Sequence, residues 1–222
     1  MERIITAITV QKRNHERVNI YLDGEYVFGI SRIVAAWLQV GQLLSEEKIA
    51  ELQVEDAKEV AYLQAIKYLS YRERSEAEVR QNLKKRDIPE VVIDEVLIRL
   101  QNNGLVDDQR FALNWVENRM EFRPRGRRAL AYELQQKGIT REIIRLALDH
   151  CNEDVMAYKA AIKQSKKLER LEWNDYRKKM YSFLARRGFT YEVTAPIVTR
   201  VWEEINFQTT TEDSDTNKEV DV

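Results

Sequence analysis

Leu83-Lys84-Lys85-Arg86-Asp87-Ile88-Pro89 aligns without gaps with Leu134-Gln135-Gln136-Lys137-Gly138-Ile139-Thr140 and with Leu184-Ala185-Arg186-Arg187-Gly188-Phe189-Thr190, at spacings of 51 and 50 residues. Apolar residues recur in step on both sides: Val79, Leu130 and Met180 upstream, then Val92, Ile143 and Val193, and Leu97, Leu148 and Val198 downstream. A period near 50 repeated three times is the pattern of a stacked helical array, in which each unit buries its apolar face only with its neighbours.

Local chemistry accounts for each unit. Ser75 with Glu78 reads as a capping box that starts one helix, and the basic residue at 86, 137 or 187 suits its last turn, where the helix dipole favours a cation. Gly138 and Gly188 fit the left-handed residue that closes it, and Asp87 takes that place in the first unit at some cost. Pro89, Thr140 and Thr190 then suit the start of a second helix. A third helix per unit is expected over 60–71, over 109–120 capped by Asp107 or Asp108, and over 154–168.

The first thirty residues differ. Ile4–Val10 is β-branched, and Val18–Leu22 and Tyr26–Ile30 flank Asp23-Gly24, a dipeptide that favours a type I′ turn, so a strand and a hairpin are expected. From Ser31 the period turns helical, through Ile33, Val34, Trp37 and Leu38, then from Ser45 to about Leu52, then from Val60 to Leu69. The expected organisation is a mainly α protein: 1–58, strand and hairpin plus helices; three-helix repeats at 59–107, 108–152 and 153–206; and an acidic disordered tail at 207–222.

Composition agrees. Of 222 residues, 44% are hydrophobic and 33% charged, with seven Gly and three Pro, which suits a helical chain with a sizeable core. The single Cys151 argues for a reducing compartment, and neither a secretory leader nor an apolar run of membrane-spanning length is evident, so a cytoplasmic location is expected. The formal net charge of -1 conceals an asymmetry: residues 123–200 carry 18 Lys and Arg against 9 Asp and Glu, while both flanks are acidic. A basic middle suggests a polyanionic or acidic partner.

Catalytic chemistry finds little support. His150 and Cys151 are adjacent, about 100° apart on a helix, and no second Cys or His stands at ligand spacing. Asp107-Asp108 reads as a cap, and no glycine-rich phosphate loop occurs. No enzyme, metal or cofactor is expected. The arginines carry more. Tyr71-Arg72-Glu73-Arg74-Ser75 and Phe122-Arg123-Pro124-Arg125-Gly126 repeat an aromatic-Arg-x-Arg-small pattern 51 residues apart, and Arg127 and Arg128 follow the second copy. Cations at a helix start oppose the dipole, so their repetition there suggests a use, such as gripping phosphate or carboxylate oxygens. The aromatics Tyr68, Tyr71, Phe111, Trp115, Phe122 and Trp173, at helical spacing, read as core or inter-repeat packing rather than a base-stacking platform.

At residues 69–112 and 123–139 the sequence resembles the RecX family, bacterial regulators of the RecA recombinase; the likeness extends more weakly through the third unit and back into the leader. It implies a non-catalytic protein of three three-helix repeats that lies in the groove of the RecA–single-stranded-DNA filament. There it would restrain ATP hydrolysis, strand exchange in homologous recombination, and the coprotease function that triggers the SOS response; some family members also bind DNA directly. The chain departs from the family pattern at Asp87, in lacking the aromatic-Arg-x-Arg element in unit three, and in its acidic tail. The expected partner-binding residues are Arg72, Arg74, Lys84, Lys85, Arg86, Arg123, Arg125, Arg127, Arg128, Lys137, Arg177, Lys178, Arg186 and Arg187, facing RecA or DNA phosphate, in a monomer. The other readings are a helix-turn-helix-like DNA-binding repeat protein and a general helical-repeat adaptor.

Overall fold

A computed structural model describes residues 2–149 and 151–216; His150 and the last six residues of the acidic tail lie outside the described residues. The chain divides into two compact units, Met1–Asp107 and Asp108–Val222.

The first unit opens with a four-stranded antiparallel sheet in which the third, second, first and fourth strands along the chain lie side by side in that order. β1 is Glu2–Val10, β2 Arg17–Leu22 and β3 Glu25–Ser31. The β2–β3 turn carries Asp23 at φ 53° and Gly24 at φ 90°, the two positive values that the dipeptide predicts. β2 alternates strictly, with Val18, Ile20 and Leu22 buried, so one face packs inward. Two expectations for the following segment are corrected. The helix expected through Ile33–Leu38 is one turn, α1 (Arg32–Ala35), because the chain then turns at Gly41 (φ 91°) and Leu43–Ser45 pairs with β1 as β4. The stretches 45–52 and 60–69 are one helix, α2 (Glu46–Leu69), capped by the Ser45 hydroxyl. The intervening Gln53–Glu59 holds neither Gly nor Pro to break it, so the expected boundary at 58/59 falls inside a continuous helix.

That continuity gives α2 two roles. Its first half buries Leu52 against the sheet, where Asp56 accepts hydrogen bonds from Arg17 (2.7 Å) and the Ser31 amide (2.7 Å). Its second half contributes Ala61, Tyr62 and Ala65 to a separate core with α3 (Glu76–Lys84) and α4 (Glu90–Asn102). The capping box of Ser75 and Glu78 starts α3, and Asp87, at φ 58°, occupies the left-handed position after it.

The second unit holds α5 (Asp108–Phe122), α6 (Arg127–Gln136), α7 (Arg141–Asp149), α8 (Glu153–Ser165), α9 (Trp173–Arg186) and α10 (Tyr191–Thr216). Gly138 (φ 79°) and Gly188 (φ 85°) sit where Asp87 does in the first unit. Here two three-helix sets share one core, running from Phe111 through Leu130, Leu134, Met156, Tyr176 and Met180 to Val201. α10 runs on into the acidic segment as far as Thr216.

The sets are joined at a close backbone contact. The Gly126 amide donates to the Arg187 carbonyl at 2.9 Å, and Arg187 Nη1 donates to the Pro124 carbonyl at 3.1 Å. A Cβ on Gly126 would lie 2.2 Å from the Gly188 carbonyl oxygen, so glycine is what lets the α5–α6 loop touch the α9–α10 loop.

Candidate partner-binding site

The arginine pattern sits in two tips, one per unit, each the loop between the first and second helix of a three-helix set. In the first unit, Arg72 is held by Glu78 (Nη2 to Oε1, 2.8 Å) and donates to the Glu73 carbonyl. Glu78 also closes the capping box, so one carboxylate serves the helix start and the guanidinium together. Arg74 lies over the Tyr68 ring at 4.1 Å. Lys84 pairs with Glu90 at 2.8 Å, whereas Lys85 and Arg86 are exposed and make no ion pair among the described residues.

In the second unit the tip is a cationic cluster on a rigid seat. Glu133, with its side chain only 15% exposed, accepts from Arg125 (2.8 Å) on one oxygen and from Arg119 Nε and Trp115 Nε1 (both 2.8 Å) on the other. One carboxylate therefore fixes two guanidiniums and an indole. Arg187, half-buried over the Phe183 ring at 4.5 Å, lies near Arg125 and Arg123; burial first, then those like charges, hold its guanidinium below its usual pKa. Arg123 and Arg128 are exposed and have no carboxylate partner among the described residues, while the Arg127 amide donates to Glu153 Oε1 at 3.1 Å and its guanidinium makes a loose contact with Asp149 at 3.7 Å. Arg127 and Arg128 open α6, whose first turn has no acidic residue to offset them. The result is an excess of positive charge around the joint.

The remaining expected residues lie elsewhere on this unit. Lys137 stands 5.3 Å from the Trp115 ring centre and Arg177 6.0 Å from that of Trp173. Lys178 and Arg186, with Lys179, Gln164, Ser182 and Phe183, line a groove of about 420 Å³ between α8 and α9 in which Asp175 is the one carboxylate. Arg186 there bonds the Ser182 hydroxyl at 2.6 Å.

Two features escaped sequence reasoning. Glu133 has Asn82 and Phe183 at the equivalent places of the other repeats, so no periodicity marked it as the anchor of the tip. The expectation of packed aromatics holds for buried Phe111 and half-buried Tyr68, Trp115 and Trp173 but is corrected for Tyr71 and Phe122, which are 74% and 65% exposed. Both lie where a helix ends and the apolar stripe no longer faces a neighbour. Among the described residues no group of three His, Cys, Asp or Glu is placed to hold a metal ion, and no helix is long and apolar enough to cross a membrane.

Comparison with known proteins covers most of the chain. Residues 3–45 match the Regulatory protein RecX N-terminal domain, and 61–100, 107–148 and 152–195 match the first, second and third RecX three-helix domains. Regulatory protein RecX of Listeria monocytogenes serotype 4a is 33% identical over 207 residues, spanning 91% of this chain and 77% of that protein. The protein of the same name from Bacillus pumilus is 36% identical over 195 residues, 85% of this chain and 74% of that one. A crystal structure of regulatory protein RecX superposes with a TM-score of 0.74 at 30% identity, covering 88% of this chain and 98% of that one. RecX from Lactobacillus salivarius gives 0.60 at 25% identity over 66% of this chain and 97% of its own.

Proposed function

The chain belongs to the RecX family of regulatory proteins, and on that premise we propose that it is a non-catalytic regulator that binds the filament RecA forms on single-stranded DNA. It lies in the filament groove and restrains ATP hydrolysis, strand exchange and the coprotease function in the cytoplasm. The observation that carries this reading is the cluster around the Gly126–Gly188 joint. Arg123, Arg125, Arg127, Arg128 and Arg187 gather where Glu133, Asp149 and Glu153 give only partial neutralisation. A surplus of guanidinium groups on a rigid seat suits acidic protein side chains or phosphate oxygens, which the planar fork grips in pairs. Tandem repeats add reach, since engaging a polymer at several points multiplies weak contacts.

The test is binding of the labelled protein to preassembled RecA filaments, with naked single-stranded DNA and free RecA in parallel, while ATP hydrolysis is followed. Saturable filament binding with falling hydrolysis is expected. The Arg123→Ala, Arg128→Ala double variant, chosen because neither side chain is ion-paired among the described residues, weakens filament affinity by roughly tenfold, as loss of two charge-assisted contacts of modest strength implies. An unchanged affinity refutes the assignment of the site. Equal binding to naked DNA and filament, with hydrolysis unaffected and a steep loss in salt, makes the chain a DNA-binding repeat protein instead.

A further inference from the structure

Tyr71 and Phe122 occupy the same position of the first two repeats, 51 residues apart, and both rings stand in solvent at 74% and 65% exposure. Single exposed aromatics are ordinary; the same exposure at the same place in two units is a feature of the architecture. Each ring is followed by an arginine, Arg72 or Arg123. Nearby rings are already covered by cations: Arg74 lies over Tyr68, Arg119 and Lys137 over Trp115, and Arg187 over Phe183. The outer ring of each tip makes no ring or cation contact among the described residues.

We propose that Tyr71 and Phe122 are stacking platforms for the unpaired bases of a single-stranded nucleic acid, with Arg123 beside Phe122 for a phosphate and Arg74, over the neighbouring Tyr68 ring, the cation of the first tip not tied to Glu78. One position holds Tyr and the other Phe, so the shared property is the ring face and not the hydroxyl. An acidic protein surface satisfies the guanidinium but offers the ring nothing apolar. A single strand offers both in alternation, a π-face and an anion in every nucleotide, which matches the ring of Phe122 and the cation of Arg123, on residues whose Cα atoms are about 3.8 Å apart. The third repeat supplies an internal contrast. Glu172 stands at this position, and the neighbouring Trp173 is turned against Tyr176 and Trp202, at ring separations of 6.3 and 5.4 Å, so that unit presents no bare ring here. The proposal rests on the filament reading only in that such a filament contains a single strand.

The experiment compares affinity of the full chain for a labelled thymidine homopolymer and for a matched abasic strand that keeps the phosphates and lacks the bases. The wild-type chain prefers the thymidine strand. Tyr71→Ala and Phe122→Ala each reduce that affinity by roughly five- to 150-fold, the range of one lost stacking contact, and leave abasic binding unchanged. Tyr71→Phe and Phe122→Tyr retain the preference. Equal wild-type affinity for the two strands, binding to neither, or alanine variants that keep the preference overturns the proposal. Binding to RecA filaments is measured alongside. Alanine variants that lose the filament while keeping the naked-strand preference show that the rings dock on protein, which overturns stacking and leaves the regulator reading intact. A base preference in a chain that ignores RecA filaments removes the regulator reading and leaves stacking standing.

Discussion

Replacing Gly126 by alanine tests the joint that seats the basic tip. The residue has φ -67° and ψ 157°, a conformation that alanine adopts freely, so backbone strain contributes nothing. The whole cost comes from where the new methyl group would lie: 2.2 Å from the Gly188 carbonyl oxygen, 2.4 Å from its carbon and 2.6 Å from the Phe189 nitrogen. All three are backbone atoms, so no side chain can swing away and the two loops must part by roughly an ångström. Parting breaks the Gly126–Arg187 and Arg187–Pro124 hydrogen bonds. Overpacking of this kind costs about 1–3 kcal/mol and each hydrogen bond about 1. The stiffer unfolded chain returns about 0.4–1 kcal/mol, leaving a net loss of roughly 2–4 kcal/mol. For a unit of this size that lowers Tm by on the order of 10 °C, measured by differential scanning calorimetry. Gly104→Ala is the control. Gly104 has φ 66° and nothing within 4 Å, so it costs only the left-handed penalty of about 1–2 kcal/mol. A Gly126→Ala melting temperature within about 2 °C of wild type would refute the close-contact account. So would full additivity with Arg187→Ala, because a joint already opened leaves Arg187 less to lose.

Other perturbations follow from the same contacts. Tyr176 is fully buried among Trp173 and Trp202 and its hydroxyl has no hydrogen-bond partner among the described residues, so Tyr176→Phe removes an unpaired polar atom and raises stability by about 1 kcal/mol in urea denaturation. Burial also pushes that hydroxyl up to about 12, against roughly 10 for an exposed tyrosine. The folded state therefore holds the proton longer; the contribution is complete below about pH 10 and is lost as pH rises through about 12, an alkaline decline that the Phe variant lacks. Glu133→Gln leaves Arg119 and Arg125 without their shared carboxylate and costs about 2–4 kcal/mol, with a change in Trp115 fluorescence as the local readout. Asp87→Gly relieves a non-glycine residue at φ 58° and stabilises the first unit by roughly 0.5–1 kcal/mol in thermal melts. Arg123→Ala leaves stability within about 0.5 kcal/mol while weakening partner binding; Arg125→Ala lowers both, since it breaks the Glu133 pair.

Much of the fold was legible because each repeat is punctuated locally. The left-handed residues at 87, 138 and 188 and the box of Ser75 with Glu78 are set by neighbours in sequence, and they fall where the alignment puts them. β4 was not legible. Three residues, Leu43–Ser45, carry no period, and their pairing with Glu2–Ile4 bridges some forty residues of chain. The continuity of α2 was hidden by the change of its buried face between sheet and repeat core: an interrupted apolar stripe reads as two helices when it serves two cores.

The basic residues show why a charge pattern alone underdetermines a site. The spacing of Arg72 and Arg74 repeats at Arg123 and Arg125, yet their partners do not repeat. Arg72 is tied to the capping glutamate of its own helix, whereas its counterpart Arg123 has no carboxylate partner among the described residues; Arg74 stacks on Tyr68, whereas its counterpart Arg125 pairs with Glu133. Within each tip one arginine is therefore spent on holding the loop, and it is a different one in each repeat. The charge that remains for a partner is greatest in the second unit, where Arg123 and Arg128 are exposed with no carboxylate partner among the described residues, and burial and then the charges of Arg125 and Arg123 lower the pKa of Arg187. Cations gathered around the joint of the second and third repeats repel one another, a cost that an outside anion would offset, and on that ground we propose the joint as the place where a partner docks.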